Sequence, residues 1–227
     1  MIVINGASRG IGKFLLESYL SRNEEIIGTY NSTNPTKHLE LYEKLDVTNQ
    51  SSVENFVKRN KANFRNITLV NCAGITYNSF AHKAAIEKWV QVIDVNLIGV
   101  FRLIHALLPI MREEGYGRII NFSSVVAQRG TPGASAYAAS KSALWGLGRS
   151  IATENASKGI TINALNLGYF DIGMIEEVPE EYRANIIETI PVKRFGHPDE
   201  IFNSVEYLRN NPYVNGTSIN INAALYD

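Results

Sequence analysis

The chain has 227 residues, 45% hydrophobic and 19% charged, which is ordinary globular composition and argues against disorder. Lys and Arg number 22 and Asp and Glu number 22, so no basic excess exists to hold a nucleic-acid backbone. The single cysteine, Cys72, cannot form an internal disulfide or a cysteine-based metal site, and a reducing cytoplasm fits.

Residues 2–4 form an apolar, β-rich run and read as a first strand, followed by a helical pattern over 11–21. A second strand is expected at 26–30. A short strand is expected at 45–47. A helix over 51–61 has Ser51, Ser52 and Glu54 as start signals. Strand 67–71 leads into a long apolar helical stretch, 86–111. Strand 118–122, helix 135–156, strand 161–167, helix 198–210 (opening on Pro198) and strand 218–221 complete the pattern. Several strands are apolar on both faces, as in a covered parallel sheet. Strand–helix alternation with no internal boundary predicts one α/β domain, 1–227, with a doubly wound parallel sheet. No apolar run approaching the roughly 20 residues of a membrane span is expected. The opening Met1-Ile2-Val3-Ile4-Asn5-Gly6 carries no basic region or cleavage site, so no leader is expected.

Gly6-Ala7-Ser8-Arg9-Gly10-Ile11-Gly12 sits between the first strand and the first helix. Glycines there allow a sharp turn, close approach to a pyrophosphate and tight helix–strand packing. The helix N-terminus adds free N–H groups and partial positive charge. NAD binders usually place an acid about 20 residues past the glycines, on the ribose 2′-hydroxyl. Here the second strand ends Tyr30-Asn31-Ser32-Thr33, with no acid. Arg9 is a cation suited to a 2′-phosphate, and Asn31 and Ser32 can donate to it. NADP(H) is therefore favoured over NAD(H).

Tyr137 and Lys141 share one helix face, and among 11 tyrosines only Tyr137 has Lys at that spacing. A phenol with a pKa of about 10 is a poor acid–base group at neutral pH, and a nearby ammonium is expected to lower it. Such a Tyr can protonate a carbonyl oxygen as hydride arrives. Ser124 sits at the C-terminal end of a strand, where ligands of open parallel sheets bind, and its hydroxyl can hold a substrate oxygen. Asn96 falls in mid-helix, ordinarily an unremarkable place for Asn. His38, His82, His105 and His197 have no ligand spacing, so no metal is expected. Trp89 and Trp145 read as packing or interface residues, and Ser123 as a neighbour without a catalytic role.

With these residues together, the chain resembles the short-chain dehydrogenase/reductase family from Ile2 to about Tyr226. Gly6–Gly12 matches its cofactor loop, Asp46-Val47 the pair beside the adenine, and Asn71-Cys72-Ala73-Gly74 its Asn-Asn-Ala-Gly stretch. Asn96, Ser124, Tyr137 and Lys141 match its tetrad. The resemblance implies a Rossmann-like fold. It implies Tyr137 as acid–base, Lys141 tuning it and bonding the nicotinamide ribose, and Ser124 orienting the carbonyl. It further implies Asn96 holding a relay water, and Asn71, Ala73 and Gly74 as mainly structural residues lining the cofactor beside the sheet. It also implies a helix between the second strand and Asp46, expected here in reduced form over 35–42. The family's Pro and Thr after the sixth strand are here Leu167 and Ile172, within Leu167-Gly168-Tyr169-Phe170-Asp171-Ile172. Backbone groups of Gly168, Phe170 and Ile172 are expected to serve the cofactor there.

Within the family the chain is most similar to 3-oxoacyl-[acyl-carrier-protein] reductases, through residues 190–201 and Asn215-Gly216. That implies a small-molecule or acyl-thioester carbonyl substrate reduced to an alcohol. Docking of an acidic carrier protein is doubted. Arg112-Glu113-Glu114 offers two acids for one base. The expected lid, about 175–195, carries Glu176, Glu177, Glu180, Glu181 and Glu188 against Arg183 within 175–190. Oxidation of a sugar, polyol or other secondary alcohol remains open, as does a non-catalytic nucleotide sensor on the same fold. The helices at 86–111 and 135–156 and the segment 218–226 resemble interfaces of a homotetramer.

Overall fold

In the computed structural model, which describes residues 1–225, seven parallel strands form one sheet in the order β3-β2-β1-β4-β5-β6-β7. They are β1 (Ile2–Asn5), β2 (Ile26–Tyr30), β3 (Tyr42–Lys44), β4 (Thr68–Asn71), β5 (Gly117–Ser124), β6 (Ile160–Leu167) and β7 (Ser218–Ile221). The helices are α1 (Gly10–Leu20), α2 (Gln50–Asn60), α3 (Ile86–Ile93), α4 (Val100–Glu114), α5 (Ser135–Asn155), α6 (Glu180–Thr189) and α7 (Pro198–Asn210).

The central strands β1, β4, β5 and β6 are apolar on both faces because each feeds two cores. Val3, Leu69, Ile119 and Ile162 point to the layer of α2, α4 and α5, where they meet Phe56, Leu103, Leu107 and Leu144. Ile2, Ile4, Val70, Ile120 and Leu165 point to α1 and α7, where they meet Leu16, Tyr19, Phe202 and Val205. Strand order reverses between β1 and β4, so a crevice opens beyond their C-terminal ends, the usual ligand position in such sheets.

Four expectations need correction. The third strand is Tyr42–Lys44, three residues before the expected 45–47, and pairs as Gly28↔Tyr42 and Tyr30↔Lys44. It is a half-exposed edge strand without an apolar signature. The buried Leu45 and Val47 lie in the turn that follows, where Asp46 Oδ1 accepts from Thr48 N (2.9 Å) and Thr48 Oγ1 (2.7 Å). The helix expected over 35–42 is a single 3₁₀ turn, Leu39–Leu41. The helix expected over 86–111 is α3 and α4 joined by a π-helical segment, Asp94–Gly99. The continuous run Ile86–Glu114 has 29 residues and is long and apolar enough by length and composition to cross a membrane. Here Leu103, Ile104, Leu107 and Met111 are fully buried in the core instead. The expected relationship at Tyr226, which ends the segment 218–226, lies outside the described residues.

Candidate active site

The loop after β1 is shaped by what a Cβ would strike. At Gly6, φ is +82° and a Cβ would fall 2.7 Å from the Ala73 backbone. At Gly12 it would fall 2.1 Å from the Gly6 carbonyl oxygen. The chain therefore turns tightly against β4 and enters α1 at Gly10. Arg9, the N-cap, makes no side-chain cap, and the first turn of α1 holds no acid. The first N–H groups of α1 and its partial positive charge thus face the crevice without a built-in anion. This cradle suits a phosphate, so the residues present fit a dinucleotide.

The crevice is a cleft of about 870 Å³. Gly6, Ser8, Arg9, Gly10, Ile11 and Gly12 line it from the loop, and Asn31 and Ser32 from the end of β2. Asp46, Val47, Ala73 and Gly74 line it beside β1, and Gly168, Phe170 and Ile172 beyond β6. Ser124, Tyr137 and Lys141 line its far half. Of the expected residues, Asn71 and Asn96 do not line it; they lie behind its wall.

At the end of β5, the Ser124 hydroxyl is hydrogen-bonded to the Tyr137 phenol and also accepts from Val126 N at 3.2 Å. Lys141, one helical turn beyond Tyr137, is buried and donates to the Phe122 carbonyl at 2.7 Å. Its Nζ lies 5.6 Å from the Tyr137 ring centroid. A Cβ on Gly74 would fall 3.3 Å from Asn96 Oδ1 and 3.5 Å from Lys141 Nζ, so glycine lets these groups crowd together. The profile of the family described as short chain dehydrogenase matches residues 1–183. The chain belongs to the short-chain dehydrogenase family. It is 35% identical to the 3-oxoacyl-[acyl-carrier-protein] reductase FabG of Escherichia coli K12, over 99% of this chain and 96% of that one. It is 34% identical to an acetoacetyl-CoA reductase of Rhizobium meliloti, over 99% and 97%. The crystal structure of a candidate gluconate dehydrogenase from Agrobacterium tumefaciens superposes with a TM-score of 0.90 at 26% identity, covering 99% of this chain and 95% of that one. The seven-stranded Rossmann-like sheet is that of the family.

The electrostatics of this short-chain dehydrogenase differ from the expectation for its tyrosine. Burial pushes the Tyr137 phenol up to about 12, and the Ser124 hydroxyl bonded to it is the group that opposes the rise. Lys141 is not among the groups that shift Tyr137; burial pushes its own ammonium down to about 8, so it stays largely charged at neutral pH. Burial also pushes the Cys72 thiol up, so this cleft residue stays protonated at neutral pH.

Asn96 is fully buried in the π segment. Its Oδ1 accepts from Ile75 N (2.9 Å), and its Nδ2 donates to Ile75 O (2.9 Å) and Ser140 Oγ (3.1 Å). Ser140 Oγ donates in turn to the Tyr137 carbonyl at 2.8 Å. Asn96 therefore ties the Gly74–Ile75 backbone to the turn of α5 that carries Tyr137 and Lys141. A π segment, which displaces side chains from α-helical register, is what brings a mid-helix Asn to this seam. Asn96→Ala orphans buried groups on both sides and is expected to cost about 2–4 kcal/mol in urea denaturation. A loss below about 0.5 kcal/mol, the range of ordinary surface changes, would contradict this tie.

Asn71 also lies behind the cleft wall. It belongs to a buried ladder across four strands rather than to the cofactor surface. Thr29 Oγ1 accepts from Gly6 N (3.2 Å) and donates to Asn5 Oδ1 (3.1 Å). Asn5 Nδ2 donates to Asn71 Oδ1 (3.2 Å), and Asn71 Nδ2 donates to Asn121 Oδ1 (2.8 Å). The ladder braces the start of the glycine loop against the strand that ends in Ser124. Sequence reasoning passed over Asn5, Thr29 and Asn121. The signal was an Asn near the C-terminal end of three successive sheet neighbours, in register as Asn5↔Asn71↔Asn121. Ser123 holds the frame as well. Its Oγ donates to the Lys141 carbonyl at 3.0 Å and accepts from Trp145 Nε1 at 3.1 Å.

Proposed function

We propose that the chain reduces an uncharged ketone, a 3-oxoacyl thioester or a related carbonyl, to a secondary alcohol with NADPH. The observation that carries this is the Ser124–Tyr137 hydroxyl pair at the end of β5, with Lys141 buried behind it on the same face of α5. Arg9, Asn31 and Ser32 would hold the 2′-phosphate, and the glycine loop and the α1 N-terminus the diphosphate. Bound NADPH supplies the hydride. Ser124 positions the carbonyl oxygen, and Tyr137 delivers a proton to it as negative charge develops. Lys141 keeps positive charge near that oxygen and bonds the nicotinamide ribose. Asn96 positions the Tyr137–Lys141 turn through its bond to Ser140 Oγ.

The far half of the cleft supports an uncharged substrate. Its walls include Thr76, Asn78, Val126, Thr131, Tyr169 and Met174. The charged lining residues are Arg9 and Asp46 on the cofactor side, Lys141 beside Tyr137, and Glu176 and Glu177 from the segment about 175–195, which we take as the lid. A carboxylate substrate would find no cation among those far-half walls beyond the buried Lys141 ammonium, which is already bonded to the Phe122 carbonyl. Against a panel of ketones with NADPH, a neutral 3-oxoacyl thioester is expected to exceed the free 3-oxo acid in kcat/KM by more than about tenfold, about 1.4 kcal/mol. Preference for a polyol or sugar acid in the oxidative direction would favour the second reading, to which the Agrobacterium tumefaciens structure lends weight.

The two pKa directions set a pH dependence. Burial keeps Tyr137 protonated up to about 12, so the proton to be delivered is present throughout the neutral range. Lys141 loses its charge near pH 8. The rate of reduction is therefore expected to be flat below about pH 8 and to fall above it. A rate that rises through pH 8–10 in a stopped-flow profile would contradict this.

A carrier protein is not the favoured partner. Glu114, in the stretch where a basic dock would lie, is engaged by Arg65 at 3.5 Å and by Asn66 N at 2.6 Å. Ile86, Val90, Ile98 and Phe101 expose apolar surface along α3, the π segment and α4. We take this face as an interface of a homotetramer in the cytoplasm. A light-scattering mass of one chain at micromolar concentration would sink the assembly.

A further inference from the structure

Arg9 is the cation on which the preference for NADPH rests, and the structure gives it a partner. Its Nη1 lies 2.8 Å from Glu177 Oε1, across the mouth of the cleft. Glu177 ends the 3₁₀ turn Gly173–Glu177, which directly follows Ile172 of the cleft lining. The contact is held from both sides. A Cβ on Gly10 would fall 3.0 Å from Gly173 Cα, so the glycine loop and this turn meet backbone to backbone beside the ion pair. The neighbouring acid, Glu176, is spent inside the turn, accepting from Gly173 N at 2.8 Å. Glu177 is thus the carboxylate directed at Arg9.

We propose that Glu177 is a specificity-determining residue, competing with the cofactor's 2′-phosphate for Arg9 and so setting how strongly the chain prefers NADPH to NADH. The inference rests on the NADPH reading above. A phosphate reaching the Arg9 guanidinium must displace the Glu177 carboxylate or lie beside it as a like charge. NADH, with a 2′-hydroxyl, asks nothing of Arg9 and leaves the pair intact. Glu177 therefore penalises NADPH and is indifferent to NADH. Both side chains are largely exposed, at 60% and 71%, so the effect is a tuning of a few-fold rather than a switch.

The test is a cycle of cofactor dissociation constants, read from nicotinamide fluorescence for the wild type, Glu177→Gln, Arg9→Gln and the double variant. Glu177→Gln is expected to tighten NADPH by about fivefold and NADH by less than about twofold. With Arg9→Gln already present, adding Glu177→Gln is expected to change the NADPH:NADH ratio by less than about twofold. The gain in the single variant should shrink as salt rises. If Arg9→Gln lowers the NADPH preference but Glu177→Gln leaves the ratio unchanged, this inference fails and the NADPH reading stands. Equal tightening of both cofactors also overturns it, because the carboxylate would then act on the shared diphosphate. If Arg9→Gln leaves the ratio untouched, both fall.

Discussion

Tyr137→Phe is expected to lower kcat for ketone reduction by about 10²–10⁴-fold while the Kd for NADPH stays within about twofold. The hydroxyl removed is the group placed to protonate the carbonyl oxygen. Its loss leaves the rest of the site standing. Ser124 Oγ keeps its bond from Val126 N, and Lys141 keeps its bond to the Phe122 carbonyl. The ring remains packed in α5, so the fold and the cofactor cradle are unchanged. Steady-state turnover paired with fluorescence titration separates the two effects. Turnover within tenfold of wild type would show that another group carries the proton. Loss of NADPH binding would place Tyr137 in the frame of the cleft rather than in the chemistry.

Gly12→Ala is expected to raise the Kd for NADPH by at least about 100-fold, about 2.7 kcal/mol. The added Cβ would lie 2.1 Å from the Gly6 carbonyl oxygen, 2.9 Å from Gly6 C and 3.0 Å from Ala7 Cα. All three are backbone atoms, so no rotamer change relieves the clash. Either the loop opens or α1 withdraws, and each movement dismantles the anion cradle at the helix N-terminus. Gly130→Ala is the control, since a Cβ there meets no atom within 4 Å. Calorimetric titration with NADPH reads both variants. An unaltered Kd for Gly12→Ala would mean that the cofactor does not sit on this loop.

The strands that bury both faces were legible because continuous apolar runs such as Ile119-Ile120 admit few other readings. The glycine loop was legible for a related reason, that its spacing answers a steric demand the structure repeats at Gly6 and Gly12. Tyr42-Glu43-Lys44 was not, because an edge strand needs only backbone partners and these side chains carry no apolar pattern. The π segment was hidden by a hydrophobic pattern that runs unbroken from α3 into α4. For Asn96, only the structure shows that Ile75 and Ser140 are what hold it. The Tyr137–Lys141 spacing was legible, whereas the balance of burial against charge around Tyr137 depends on distances that spacing does not encode. Arg9 was read as a free cation because its partner, Glu177, is 168 residues away.

The central claim is that this cleft passes a hydride from NADPH to an uncharged ketone. Its most direct test is the absorbance of NADPH on mixing the purified chain with a 3-oxoacyl thioester of N-acetylcysteamine, with the product followed in parallel. The account predicts that NADPH is consumed one-for-one with formation of the 3-hydroxyacyl thioester, and that Tyr137→Phe abolishes both signals. A chain that binds NADPH tightly yet oxidises it with no member of a broad ketone panel would contradict the account and point to a nucleotide sensor.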